Sequence, residues 1–327
     1  MPTVSIIVPC YNEQNTILLL LEAIYAQTYP RQQLEVVIAD GLSRDQTRLQ
    51  IADFQARHPD LNVQIVDNPN RTIPSGLNRA IQFAQGEMIV RLDAHSVPQS
   101  EYVARCVTAL EQGLGDSVGG VWEIRPRSVG WQARAIALAA AHPFGVGDAH
   151  YRYTTAAQVV DTVPFGAFHR SLVERIGYFD ENLLTNEDYE FNVRLRQSGG
   201  KIWLDPSIRS VYFARANLAE LARQYWRYGF WKARMLRRYP NTARWRQALP
   251  PLFVFSLLTL LIMAIWLPVA GWIFVIESAG YAVVLSLAGL QLGWKYRDWK
   301  LNLGVPRAMA TMHLAWGSAF LWSLVFR

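Results

Sequence analysis

Four stretches, VSIIVPC (residues 4–10), LEVVIAD (34–40), NVQIVD (62–67) and MIVRLD (88–93), decide the fold. Each is a β-branched run that ends in polar residues. Between them lie Asn15–Tyr25, Gln46–Arg57 and Ser75–Ala84, where apolar residues recur at helical spacing. This alternation predicts an α/β domain, a mostly parallel sheet covered by helices on both faces. Right-handed crossovers gather the polar strand ends at one edge, where such sheets bind ligands. Pro9, Tyr11, Asn12 and Glu13 follow the first strand and Asp40 ends the second, so both sets belong to that crevice.

Further along, Ser128–Ala141 is alanine-rich and helical in pattern, and HPFGVGDAHYRY reads as a flexible loop over a site. VDTVPFGAFHR (160–170) reads as a strand, NEDYEFNVRLRQSG as a capped helix, and KIWLDPSIRSVYF as the last strands. Leu218–Arg238 mixes Tyr225, Trp226, Tyr228, Phe230 and Trp231 with basic residues, as a membrane-surface helix requires. The chain is 51% hydrophobic and 18% charged, but unevenly so. From Leu249 to Phe326 charges nearly vanish, leaving three spans of bilayer length, Leu249–Leu267, Gly271–Leu292 and Ala308–Phe326. Residues 1–217 are therefore a catalytic-type domain, 218–248 a basic-aromatic interface helix, and 249–327 a three-helix anchor.

The net charge of +6 has a location. No acidic residue lies between Glu220 and Glu277, whereas Arg223, Arg227, Lys232, Arg234, Arg237, Arg238, Arg244 and Arg246 do. Beside apolar spans, such a run meets anionic lipid or phosphate and argues against nucleic acid. The connector WKYRDWKLNLGVPR brings Lys295, Arg297, Lys300 and Arg307, which places it on the same face as the main domain, two spans away. The absence of a cleavable leader at VSIIVPC makes that face cytoplasmic, and a third span carries the carboxy terminus outside. Glu277, inside the second span, reads as hydrated at the interface. Cys10 and Cys106 show no metal-ligand spacing and read as buried thiols.

VSIIVPCYNE, ADGLSRDQT, RLDAHS and NED, in that order, resemble the family 2 glycosyltransferases of the GT-A fold over about residues 3–240. The match looks closest to bacterial exopolysaccharide enzymes of the succinoglycan glucosyltransferase type, which have carboxy-terminal membrane helices. The resemblance implies that Pro9, Tyr11, Glu13 and Asp40 cradle the nucleotide of a sugar donor, with Arg71 and Asn78 beside its phosphates. It places a divalent metal at RLDAHS, where the usual two aspartates are replaced by Asp93 and His95. Alternate residues of a strand point the same way, so both can reach one ion, and imidazole favours Mn²⁺ over Mg²⁺. Asp188, in the Glu187–Asp188 pair, matches the catalytic base. QYWRY (224–228) looks like the Q-x-x-R-W motif, with Gln224 and Arg227 in place and Tyr228 replacing Trp.

The expected activity is inverting transfer of a hexose from a UDP-sugar, UDP-glucose first, to a lipid-linked sugar in envelope polysaccharide synthesis. Such an enzyme works at the bacterial inner membrane among membrane lipids and other envelope assembly proteins. Three other readings compete. A polyprenyl-phosphate sugar transferase would not need the Glu187–Asp188 base. A processive synthase would need more spans for a secretion channel. A non-catalytic sugar-nucleotide-binding subunit is favoured only by the altered metal pair.

Overall fold

In the computed structural model residues 1–326 are described, and Arg327 of the expected anchor lies outside the described residues. The chain divides into two compact units: Met1–Glu123 with His150–Tyr212, and Ile124–Ala149 with the chain from Phe213 onward. The segment 124–149, read from sequence as part of the first domain, thus clusters with the carboxy-terminal helices.

The first unit begins β1 (Val4–Cys10), α1 (Ile17–Tyr25), β2 (Leu34–Asp40), α2 (Thr47–Arg57), β3 (Asn62–Asp67), α3 (Ile73–Phe83) and β4 (Met88–Arg91). β5 (Val97–Pro98), α4 (Tyr102–Glu111) and β6 (Ser117–Pro126) follow. After α5 (Trp131–Ala140) and α6 (Pro143–Val146), which belong to the second unit, come β7 (Gln158–Val159), β8 (Ala167–His169), α7 (Ser171–Ile176), α8 (Glu187–Gln197) and β9 (Ile202–Ala214).

These strands form one nine-stranded sheet in the order β3-β2-β1-β4-β8-β6-β9-β5, with β7 on β9. β3, β2, β1 and β4 are mutually parallel, and β8 joins β4 antiparallel. The parallel half carries the crossover helices that the alternating pattern requires. Its core divides by strand alternation: Ile6 and Val8 pack with Leu20, Leu21 and Ile24 on one face, and Ile7 with Leu77, Ala80 and Ile81 on the other. Full burial of such side chains stabilises by about 1.5–3 kcal/mol each before entropy is counted.

Two strand boundaries differ from expectation. β4 stops at Arg91, because Ser96 N–H and Oγ both donate to the Asp93 carbonyl and close a turn there. Residues 160–170 contribute only the short β8, since Phe165 takes a left-handed φ of 51° just before it.

The second unit continues with α9 (Leu218–Arg238), α10 (Trp245–Met263), α11 (Pro268–Tyr296) and α12 (Leu301–Val325). The last three are long and apolar enough to cross a membrane. The connector expected at 294–307 is mostly helical: α11 runs to Tyr296 and α12 starts at Leu301. Burial of Leu301, Val305 and Ala308 draws that stretch into helix, and Pro306 is accommodated within it. Glu277 accepts from Ser256 Oγ across the α10–α11 hairpin at 2.5 Å, so its partner is a neighbouring helix as well as any interface water.

Candidate active site

The carboxyl edge of the parallel strands gathers the first group. Pro9 pairs across the sheet with Ala39, and Cys10 with Asp40. The Tyr11 ring lies over Gly41, where an added Cβ would come within 2.9 Å of it, so this loop needs glycine. The guanidinium of Arg71 sits 5.8 Å from the centroid of the same ring. Asn12, Leu42, Arg71 and Asn186 all hold positive φ, and each is, or lies within two positions of, a candidate site residue. Backbone strain of this kind persists where surrounding structure enforces it, commonly at functional sites.

Asp40 is fully buried. Its carboxylate accepts from Ser43 N–H at 3.0 Å and from Ser43 Oγ, and pairs with Arg48, which also reaches Asp67. Asp40 therefore shapes the crevice by fixing the Ser43–Arg48 turn. Glu13 precedes α1 and is not in its first turn, so helix-dipole stabilisation does not account for it. Its N–H donates to Thr47 Oγ1 at 2.8 Å, and its carboxylate accepts from Thr16 Oγ1. The same carboxylate lies 3.3 Å from His95 Nδ1, which brings the first and third motifs together.

Asn78 is a correction. Its amide donates to the Phe179 carbonyl and to Glu181, each at 2.9 Å, while its oxygen accepts from Phe179 N–H at 2.9 Å. Every group of that side chain is used to staple α3 to the 179–181 loop, so it does not face the donor phosphates.

Sequence reasoning missed Arg91, the cation at the centre of the second group. On β4 it lies two residues before Asp93, the spacing by which it could have been found. Its Nη2 donates to Glu187 Oε1 at 2.9 Å and to Asp93 Oδ1 at 3.3 Å. Burial opposes the charge, but Asp93, Glu187 and Asp188 outweigh it and hold Arg91 firmly protonated. Burial pushes the Glu187 carboxyl up to about 7, against the pull of Arg91 and with the help of Asp188 beside it. Asp188, at the second position of α8, accepts from Tyr189 N–H at 2.7 Å and is less buried than Glu187.

Asp93 and His95 project from the 93–96 turn, a correction to the alternating-strand geometry expected for them. Among the described residues no group of three His, Cys, Asp or Glu side chains could cage a metal. One carboxylate and one imidazole nonetheless suit an ion whose remaining ligands come from a substrate diphosphate. With Nδ1 facing Glu13, Nε2 is the ring nitrogen that would meet the ion, a carboxylate–histidine arrangement that fixes the tautomer. In the second unit, Gln224 Nε2 donates to Tyr228 Oη at 2.9 Å along one face of α9, and Arg227 lies exposed on the same helix.

The parallel half-sheet, its aromatic and carboxylate loops and the Asp93–Arg91–Glu187 constellation define a GT-A glycosyltransferase. The chain belongs to glycosyl transferase family 2, whose profile matches residues 5–177. It is 31% identical over 324 residues to the succinoglycan biosynthesis protein ExoA of Rhizobium meliloti, covering 96% of this chain and 93% of that one. A Methanococcus voltae protein, dolichyl N-acetyl-α-D-glucosaminyl phosphate 3-β-D-2,3-diacetamido-2,3-dideoxy-β-D-glucuronosyltransferase, is 28% identical over 79% of this chain and 81% of its own. The mannosyltransferase PcManGT of Pyrobaculum calidifontis, solved with GDP-Man and Mn²⁺, shares the fold. Its TM-score is 0.61 at 23% identity, over 95% of this chain and 87% of that one.

Proposed function

We propose that this protein is a membrane-associated inverting glycosyltransferase that moves a hexose from a UDP-sugar, UDP-glucose first, to a lipid-linked sugar in envelope or extracellular polysaccharide synthesis. The observation that carries the reading is Arg91, which ties the donor-side carboxylate Asp93 to the start of α8, where Asp188 stands. A base is thereby held in fixed relation to the donor cradle. Tyr11 and Asp40 with its turn receive the nucleotide base, with Pro9 as the floor and Arg71 reaching the phosphates.

Asp188 takes the proton of an acceptor hydroxyl, whose oxygen attacks the anomeric carbon as the bond to the nucleoside diphosphate breaks. A single displacement with one base inverts the anomeric centre. Glu187, buried and paired to Arg91, positions that base. Asp93 and His95 would hold a divalent ion, Mn²⁺ in preference to Mg²⁺, which supplies neutralising charge to the donor diphosphate. The resemblance of QYWRY to the Q-x-x-R-W motif assigns Arg227 to the departing diphosphate, and Gln224 and Tyr228 to the acceptor.

Relatives support the assignment: the Methanococcus voltae name describes a dolichyl-linked acceptor, and PcManGT was solved with a nucleotide sugar and Mn²⁺. The catalytic unit then works on the cytoplasmic face of a bacterial plasma membrane, beside other envelope assembly proteins. The experiment compares wild type, Asp188→Asn and Glu187→Gln for transfer rate and nucleotide affinity. Asp188→Asn should lose about 10²–10⁴-fold in transfer and keep nucleotide affinity. Wild-type transfer by that variant would instead favour a phosphate acceptor, which needs no base.

A further inference from the structure

We propose that the cleft bounded by the 126–131 loop, α5 and the α11–α12 turn binds the headgroup of a membrane lipid that ends in a phosphomonoester or diphosphate. The cleft holds about 780 Å³, within the range of small-molecule sites, and every residue lining it belongs to the second unit. Its cations are Arg127, Arg134 and Lys300, and its apolar wall includes Val129, Trp131 and Leu138.

One carboxylate sets the charge of the cleft. Asp298 Oδ1 accepts from Lys300 N–H at 3.1 Å, and its Oδ2 accepts from Arg134 Nη1 at 3.2 Å. Asp298 thus compensates Arg134 and holds it against the turn, with the guanidinium 5.3 Å from the centroid of the Tyr296 ring. Arg127 and Lys300 are exposed, and among the described residues neither has an ion-pair partner. Three cations against one carboxylate leave two positive charges at the cleft. A phosphomonoester or diphosphate matches both, whereas a phosphodiester headgroup supplies a single negative charge.

The surroundings put the cleft at the level of lipid headgroups. On α11, Val283, Val284, Leu287 and Leu290 are exposed, and this apolar face ends at Trp294, 90% exposed, before Lys295 and Arg297. Aromatic residues followed by cations mark the boundary of a span. Trp299, in the same turn, is largely exposed too. On the other side of the cleft, β6 ends at Pro126, and Arg127, Ser128, Val129 and Gly130 lead into α5 at Trp131. Val129 is fully exposed and Trp131 exposed, an apolar tip beside a cation. Gly304 of α12 packs on Trp131 and Ala135, so the loop and the turn stand at the same end of the helices. A lipid chain passing from the cleft into the bilayer covers that apolar lip. A free phosphate ester would engage the cations and leave the lip bare.

The full chain in a neutral detergent is titrated with dioctanoyl phosphatidate at pH ~8, where a phosphomonoester carries two charges. Retained lipid is counted by native mass spectrometry. Dioctanoyl phosphatidylglycerol has the same chains on a diester headgroup, and glycerol 3-phosphate has the headgroup alone. Phosphatidate should bind about tenfold or more tightly than either, and Arg127→Gln with Lys300→Gln should lose about tenfold or more of that affinity. Arg57→Gln with Arg105→Gln removes the same charge from exposed positions on α2 and α4 and should bind as wild type does. Unchanged affinity in the Arg127 and Lys300 double variant would overturn the site, and an equal loss in the control pair would reduce it to net charge. Equal affinity for phosphatidylglycerol would overturn the headgroup assignment, and equal affinity for glycerol 3-phosphate the lipid. Binding is read rather than transfer, so the result is independent of the proposed reaction.

Discussion

Arg91 donates to Glu187 across 2.9 Å with both side chains buried, 7% and 6% exposed. The pair joins the end of a central parallel strand to the first turn of α8, and so sets where Asp188 stands. Removing one partner strands the other charge in the interior. Arg91→Met should therefore destabilise the fold by about 3–5 kcal/mol. Adding Glu187→Gln should recover part of that loss. Chemical denaturation of the detergent-solubilised single and double variants measures it, and strictly additive costs would show that the pair is not coupled.

The raised Glu187 pKa predicts a pH dependence of stability. Its folded value of about 7 exceeds the ordinary glutamate value of about 4.5, so the folded state binds the extra proton between these pH values. That contribution is complete below about 4.5 and is lost as pH rises through 7. Glu187→Gln has no such group. The melting temperature of the variant relative to wild type should climb from pH 4.5 to 7 and then level off. A difference that stays flat over that window would place the Glu187 pKa near its ordinary value.

His95 gives a metal-selectivity prediction. Mn²⁺ should support transfer better than Mg²⁺ in the wild type, and His95→Asp should narrow the gap, because a carboxylate suits Mg²⁺ as well as imidazole suits Mn²⁺. Titrating each ion into both proteins, with nucleotide affinity as a second readout, decides it. Identical preference in the two proteins would leave His95 as a partner of Glu13 alone.

Asn78→Ala removes three hydrogen bonds at a buried staple and should cost on the order of 1–3 kcal/mol in stability. Nucleotide-sugar affinity, measured by calorimetry at a temperature where the variant is folded, should match wild type. A tenfold loss of affinity there would return Asn78 to the phosphate site.

Gly229→Leu drives a side chain into the Trp316 backbone. The separation of α9 from α12 should lower the melting temperature, as overpacking by about 1–3 kcal/mol would. It should also open α12 to proteolysis. A variant as stable and as protected as wild type would mean that the helices are not held together at this point.

The amino-acid sequence by itself determined the parallel half of the sheet, because β-branched runs and helical spacing alternate there without ambiguity. It also singled out the loops of the candidate site, since Tyr11, Glu13, Asp40, Asp93 and Asp188 all lie at predicted ends of elements. Glu187, Gln224, Arg227 and Tyr228 stood out as candidates by local spacing on helices. Arg91 was not, because a lone arginine in a strand gains meaning only when Glu187, 96 positions away, folds against it. Asn78 misled for the converse reason: its partners, Phe179 and Glu181, are absent from its local sequence. α12 shows the same limit most clearly. Hydropathy counts the residues of one helix, whereas its packing partner is fixed by close approach, as where Gly229 of α9 meets the Trp316 backbone 87 positions away.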